Sequence, residues 1–169
     1  DGTGFAGDLG LGTVPTTLTG LIPLVVSKLK QDFCQLHVII QPGLSAALLQ
    51  QIGKRQIDAA IITRPKILPH GFNFQDIAKE PLELLAPPQT KSNDPYFLLK
   101  NYPFIRFDRN AIVGQMVEKW LNQNDLTVYD SMELEDLEAI SSMVMANLGV
   151  SIVPKRCVRN MNPLPIKHI

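Results

Sequence analysis

The sequence predicts an α/β fold in two lobes, each a small parallel sheet with helices over it. Three observations predict it. Strand-like and helical runs alternate over residues 8–63, an order that gives parallel strands joined by crossover helices. The same alternation restarts at Phe104 and continues to Val153. Between the two lies the most polar, proline-rich stretch of the chain, Pro87-Pro88 and then Gln89-Thr-Lys-Ser-Asn-Asp-Pro95, which marks a crossing between lobes at Ala86–Pro88. The first lobe is placed at residues 1–86, completed by about residues 160–169, and the second at 87–159. Two lobes joined in this way imply a cleft between them.

The totals bound what such a chain can do. Its 169 residues suffice for one ordinary domain or two small lobes, and 45% hydrophobic against 19% charged residues is globular composition. Lys+Arg and Asp+Glu both number 16, which argues against nucleic-acid binding by this segment, because displacing counterions from DNA needs an excess of cations. The same balance leaves no polybasic membrane patch, and apolar runs such as Leu21–Val26 fall far short of the roughly 20 residues of a spanning helix. The opening Asp1-Gly-Thr-Gly-Phe-Ala-Gly7 has neither the basic region nor the apolar core of a signal peptide and reads as a flexible lead-in. Cys34 and Cys157 form no Cys-x-x-Cys pair, and His37, His70 and His168 are scattered. No metal site or cofactor is expected, and the thiols are expected to be buried and reduced in a cytoplasmic protein.

The organising stretch is Asp8-Leu-Gly-Leu-Gly12, continuing to Phe33. Its leucines and small glycines suit a central strand packed closely on both faces. Val14-Pro15 ends that strand, since proline gives the ladder no N–H. Thr16 or Thr17 then caps a helix whose apolar face is Leu21, Leu24, Val25, Leu29 and Phe33, with the stem of Lys28. Leu36–Ile40 is a β-branched strand, Ser45–Ile52 a helix stopped at Gly53, and Asp58–Thr63 a further strand. Right-handed crossovers bring the helix starts at Thr16-Thr17 and Ser45 to one sheet edge, where open α/β sheets take ligands. The threonines read two ways there. Their hydroxyls cap a helix, or with free N–H groups and the helix dipole they form an anion site.

Beyond a loop at Arg64–Phe74, Leu82–Ala86 reads as a strand and Tyr96–Lys100 as one helical turn. Phe104–Phe107 is a strand, Val113–Asn122 a helix burying Met116, Val117, Trp120 and Leu121, and Leu126–Met132 a short strand. Glu135–Ala146 is a helix with its acids in the first turn, where the dipole favours them, and Asn147 suits the left-handed residue that ends it. Val150–Val153 is a strand closed by Pro154, and Leu164–Ile169 a strand crossing back to the first lobe.

These segments resemble a known family in their order. Leu9-Gly-Leu-Gly12, Leu21-Ile-Pro23 and Leu29–Phe33 are similar to the opening of the effector-binding domain of LysR-type transcriptional regulators. Val38–Ile40, the Gly43-Leu-Ser45 turn, Leu48–Ile52 and Gly53 through Asp58-Ala-Ala-Ile-Ile62 look like its continuation. Val144 through Asn147, Gly149 and Pro154 resemble the motif that ends its second lobe, with Asn147 where glycine is usual. The resemblance spans roughly Gly7 to Ile169. It implies a two-lobe fold like that of type II periplasmic binding proteins, without catalysis. It also implies a small-molecule effector in the cleft, a carboxylate or an inorganic anion, and a homodimer or homotetramer paired through the first helix, Leu18–Phe33. The family's winged helix-turn-helix and the last strand and helix of its first lobe are not in this sequence. DNA is therefore expected to be read only through that missing N-terminal domain, and the chain looks like an excised domain.

The resemblance points to Thr16 as an effector contact, with Thr17 beside it and Ser45 at the same edge. From the second lobe, the end of Phe104–Phe107 is expected to face the cleft with Phe107, Asp108 and Arg109. Arg106 and Arg109 each have the planar fork that pairs with a carboxylate. The other reading makes them surface residues, or partners of Asp108 or Glu135, and Phe107 core. Asp58 reads as a structural carboxylate, and the acids Glu133, Glu135, Asp136 and Glu138 as complements of a helix dipole. No Gly-x-Ser-x-Gly or other nucleophile arrangement occurs, so an enzyme on this fold is the least supported reading. A solute-binding protein of a transport system is the alternative with the same plan; it needs a secretory signal and a monomer.

Overall fold

The computed structural model describes residues 6–158 and 164–169, so the lead-in expected over residues 1–7 falls mostly outside them. The chain divides into two compact units, one running to Gln75 and the other from Asp76 to Cys157 with the closing residues 164–169.

In the first unit, β1 (Gly7–Thr13) is the central strand of a parallel sheet ordered β2-β1-β3, with β2 at Leu36–Pro42 and β3 at Ala59–Ile61. Polar side chains hold the entry end of the sheet. The Asp58 carboxylate accepts from the Gly10 N–H at 2.7 Å, the structural role expected of it. His37 pairs with Asp8 across the β1–β2 register at 3.0 Å. Helix α2 (Ser45–Gly53) seals one end of the sheet by burying Leu48 completely against Val14 and Ile57. Gly12 fits closely beneath it: a Cβ there would stand 2.7 Å from Ile57 Cδ1 and 2.8 Å from Leu48 Cδ2, so both side-chain ends would have to shift.

The expected capping of the first helix is corrected. Pro15–Thr17 forms a separate 3₁₀ turn, and α1 starts only at Leu21, with Gly20 at its N-cap and no side-chain capping bond. Proline at the start of the turn and glycine at its far end split one expected helix start into two. The apolar face of α1 (Leu21–Asp32) is corrected as well. Only Ile22 is buried, while Leu24 is 58% exposed and Phe33 is also exposed.

The second unit holds most of the core. Strand β4 (Leu82–Ala86) lies between β7 (Ser151–Pro154) and β8 (Lys167–His168), antiparallel to both. A second pair, β5 (Pro103–Phe107) and β6 (Tyr129–Leu134), is parallel. It joins the first at Val150, which exchanges hydrogen bonds of 2.8 and 2.9 Å with Ile105 and Pro103. Gly149 permits that approach, since a Cβ would sit 2.3 Å from the Pro103 carbonyl oxygen. Helices α3 (Pro95–Asn101), α4 (Ile112–Gln123) and α5 (Leu137–Met145) pack around Leu98, Phe104, Val117, Leu121, Ile140 and Val144, all essentially inaccessible. Asp94 caps α3, Asp136 caps α5 through the N–H groups of Glu138 and Ala139, and Asn147 ends α5 at φ 62°.

Two further expectations are corrected here. The sheet of this unit is mixed rather than parallel: β4 pairs antiparallel with β7 and β8, while β5 and β6 pair in parallel. The crossing expected at Ala86–Pro88 comes earlier, between Gln75 and Asp76, and the closing strand stays in the second unit. Backbone pairing decides it: Leu84 and Ile169 exchange two hydrogen bonds, and Lys167 Nζ donates to the carbonyls of Thr90 and Ser92. The two cysteines lie on exposed residues, not buried ones.

Candidate functional site

The carboxyl edge of the first sheet gathers the hydroxyl-bearing residues. Three loops are tied together there. The Gly43 N–H donates to the Thr13 carbonyl at 3.1 Å, the Val14 N–H to the Ile61 carbonyl at 3.1 Å, and the Thr63 N–H to Ser45 Oγ at 3.2 Å. Thr17 Oγ1 donates to the Val14 carbonyl at 3.0 Å and is also hydrogen-bonded to Thr13 Oγ1. Thr17 and Ser45 are thus spent on holding the edge. Thr16 is different: it is only 6% exposed, and among the described residues its hydroxyl makes no hydrogen bond. At the same sheet edge, α2 begins with Leu44 at its N-cap and no side-chain oxygen over its first turn. The N–H groups of Ser45, Ala46 and Ala47 precede the first intrahelical bond, from Leu48 to Leu44. A free hydroxyl and uncapped N–H groups at the positive end of a helix dipole, on one sheet edge, are groups that can accept an oxyanion.

In the second unit, the residues expected at the end of β5 separate. The Arg106 side chain is 6% exposed. Its Nε donates to Asp130 Oδ1 at 2.9 Å, its NH1 pairs with Glu118 on α4, and its guanidinium carbon lies 5.3 Å from the centre of the Phe104 ring. Arg106 and Phe104 share one face of β5, the face that α4 covers. The side chain is therefore structural rather than facing solvent, which corrects its expected orientation. Phe107, 3% exposed, belongs to the core. Asp108 uses one carboxylate oxygen to accept from the Asn110 N–H at 2.9 Å and shapes the turn into α4.

Arg109 is the accessible cation of the group, with its side chain 51% exposed. Its NH2 donates to Asp130 Oδ2 at 2.8 Å and its NH1 to Glu133 Oε2 at 3.2 Å, while its main-chain N–H donates to Glu133 Oε1. The partner acids are Glu118, Asp130 and Glu133, in place of the expected Asp108 and Glu135. Asp130 and Glu133 lie on the neighbouring strand, and nothing local in the sequence reports the register that brings them alongside. Glu133 thereby leaves the group of acids assigned to the helix dipole, and Glu138 pairs with Arg156. An open groove of about 510 Å³ runs along α4 from Arg109 past Gln115 and Lys119.

The LysR substrate binding domain family matches residues 2–165. The chain belongs to this family. Among curated relatives, it is 29% identical over 160 residues to a probable RuBisCO transcriptional regulator of Cyanidium caldarium, covering 87% of this chain and 49% of that protein. The chain spans about half the length of the curated relatives it matches. Among solved structures, the effector binding domain of QuiR in complex with shikimate superposes with a TM-score of 0.76 at 16% identity, over 97% of this chain and 80% of that one. The regulatory domain of CcmR from Synechocystis PCC6803 in complex with 2-PG does so with 0.75 at 21% identity, over 91% and 77%. The fold is thus the two-lobe α/β fold of LysR effector-binding domains, and the relatives are transcriptional regulators rather than enzymes. Among the described residues no helix is long and apolar enough to cross a membrane.

Proposed function

We propose that this LysR domain senses a small oxyanion, a carboxylate or phosphate, at the carboxyl edge of its first sheet. Thr16 and the first-turn N–H groups of α2 are the primary contacts. The single observation that carries the reading is the Thr16 hydroxyl, which belongs to a residue only 6% exposed and is unpartnered among the described residues while Thr17 and Ser45 are engaged. Arg106 has no part in binding, because its donors serve Glu118 and Asp130. Arg109 is held less firmly. Its ion pairs are half-exposed, worth about 0–1 kcal/mol each, and Asp130 keeps Arg106 when Arg109 leaves. The effector works by differential affinity for two arrangements of the domain, which is the only way a ligand shifts a population.

The bound state is proposed to act through self-association, in a dimer or tetramer whose contact includes the exposed Leu24 and Phe33 of α1. In the whole protein it is proposed to act on DNA through an N-terminal domain, a reading supported by relatives named HTH-type transcriptional regulators. The location is proposed as cytoplasmic. The test is calorimetric titration of the domain with shikimate, 2-PG and inorganic phosphate, the first two taken from the structural neighbours. Thr16→Val removes the hydroxyl at nearly constant shape, and at least tenfold weaker binding is expected for whichever probe binds. Equal affinity in the variant overturns the site. A stable monomer by solution mass overturns the regulatory reading in favour of a solute-binding protein.

A further inference from the structure

The chain enters the second unit after Gln75 and leaves it after Cys157, and the two ends run side by side. Leu82 is opposite Pro154 in the β4–β7 register. One step outward, the Lys155 N–H donates to the Pro81 carbonyl at 2.7 Å and prolongs the ladder by main-chain pairing. Another step outward, the pairing changes character. The Cys157 N–H donates to a side chain, the Glu80 carboxylate, at 2.8 Å. A carboxylate that accepts from a main-chain N–H makes a charge-assisted bond, stronger than the neutral pairing it replaces.

We propose that Glu80 is a staple joining the incoming and outgoing passages of the second unit, a conformational device that carries their pairing outward from Pro154 to Cys157. With the staple closed, any change in the path of the two passages begins outside Glu80 and Cys157. Proline at 81 has no N–H to return to Lys155, so that pair is held by a single main-chain hydrogen bond and the Glu80 side chain adds a second tie beyond it. A second effect follows at the same residue. The Cys157 thiol is pushed above its ordinary range by partial burial first, then by its hydrogen bond to Glu80 and by the negative charge there. The staple therefore leaves a chemical signature on a side chain that reagents can reach.

The test uses this chain with Cys34→Ser, so that Cys157 is its single thiol, and compares Glu80→Ala and Glu80→Gln. Two quantities are read: hydrogen exchange of the Cys157 amide, and the pH profile of Cys157 alkylation by iodoacetamide. Glu80→Ala is expected to speed exchange of the Cys157 amide at least tenfold, with the Leu84 and Ile105 amides unchanged, and to move the alkylation profile to lower pH. Glu80→Gln keeps an acceptor but not the charge. It is expected to retain much of the amide protection and still move the profile down. Unchanged Cys157 exchange in Glu80→Ala overturns the staple, as does an alkylation profile that stays in place in both variants. Should the alanine variant fail to fold, the glutamine profile alone decides between the two outcomes.

Discussion

Replacing Arg106 by methionine tests the division of labour between the two arginines. The substitution keeps an unbranched stem of similar reach, so packing on Phe104 survives while the charge goes. Two charge-assisted hydrogen bonds are lost, to Asp130 and Glu118, each worth about 1.5–3 kcal/mol when shielded from water. Both acids are roughly 40% exposed and regain water, and Asp130 retains Arg109, which leaves a net cost of about 2 kcal/mol rather than the 3–5 of a fully buried pair. For a unit of this size that is roughly 8–16 °C in Tm. Arg109→Met breaks half-exposed pairs only and costs about 0–1 kcal/mol. Urea unfolding followed by Trp120 fluorescence reads the right unit, because Trp120 is the single tryptophan and lies on α4. A urea midpoint that falls for Arg109→Met and stays put for Arg106→Met would refute the assignment of Arg106 as structural.

Other expectations follow from the two cores. Leu48→Ala empties a fully buried position in a cluster of only Val14, Leu48 and Ile57, so about 2–5 kcal/mol is lost. Amide protection in β1 should drop while the Trp120 transition stays where it was. Thr90→Val removes a buried hydroxyl that has no partner among the described residues, and is expected to be neutral or to stabilise by up to about 1 kcal/mol; a lower urea midpoint would show that the hydroxyl is bonded. The raised Cys157 thiol contributes stability below the ordinary thiol range and loses it as pH rises through the folded-state value. The stability of Cys157→Ser should therefore fall less than that of the parent chain between neutral and alkaline pH.

The sequence was most informative where structure is local. Alternating apolar runs placed the strands and helices, Asp136 and Asn147 marked the two ends of α5, and Ser45 marked the first residue of α2, because caps and turns are chosen by residues a few positions apart. The order of those pieces sufficed for the family and the two-lobe class. What sequence alone left open was decided by partners far along the chain. Whether Arg106 or Arg109 stays accessible depends on the β5–β6 register, which brings Asp130 and Glu133 from more than twenty residues away. Whether Thr16 or Thr17 keeps a free hydroxyl depends on a 3₁₀ turn aiming one of them back at Val14. The border between units moved because β8 pairs with β4 across about eighty residues. Periodicity says which faces are apolar, but pairing and ion-pair choice are settled only when distant segments compete for the same donors and acceptors in three dimensions.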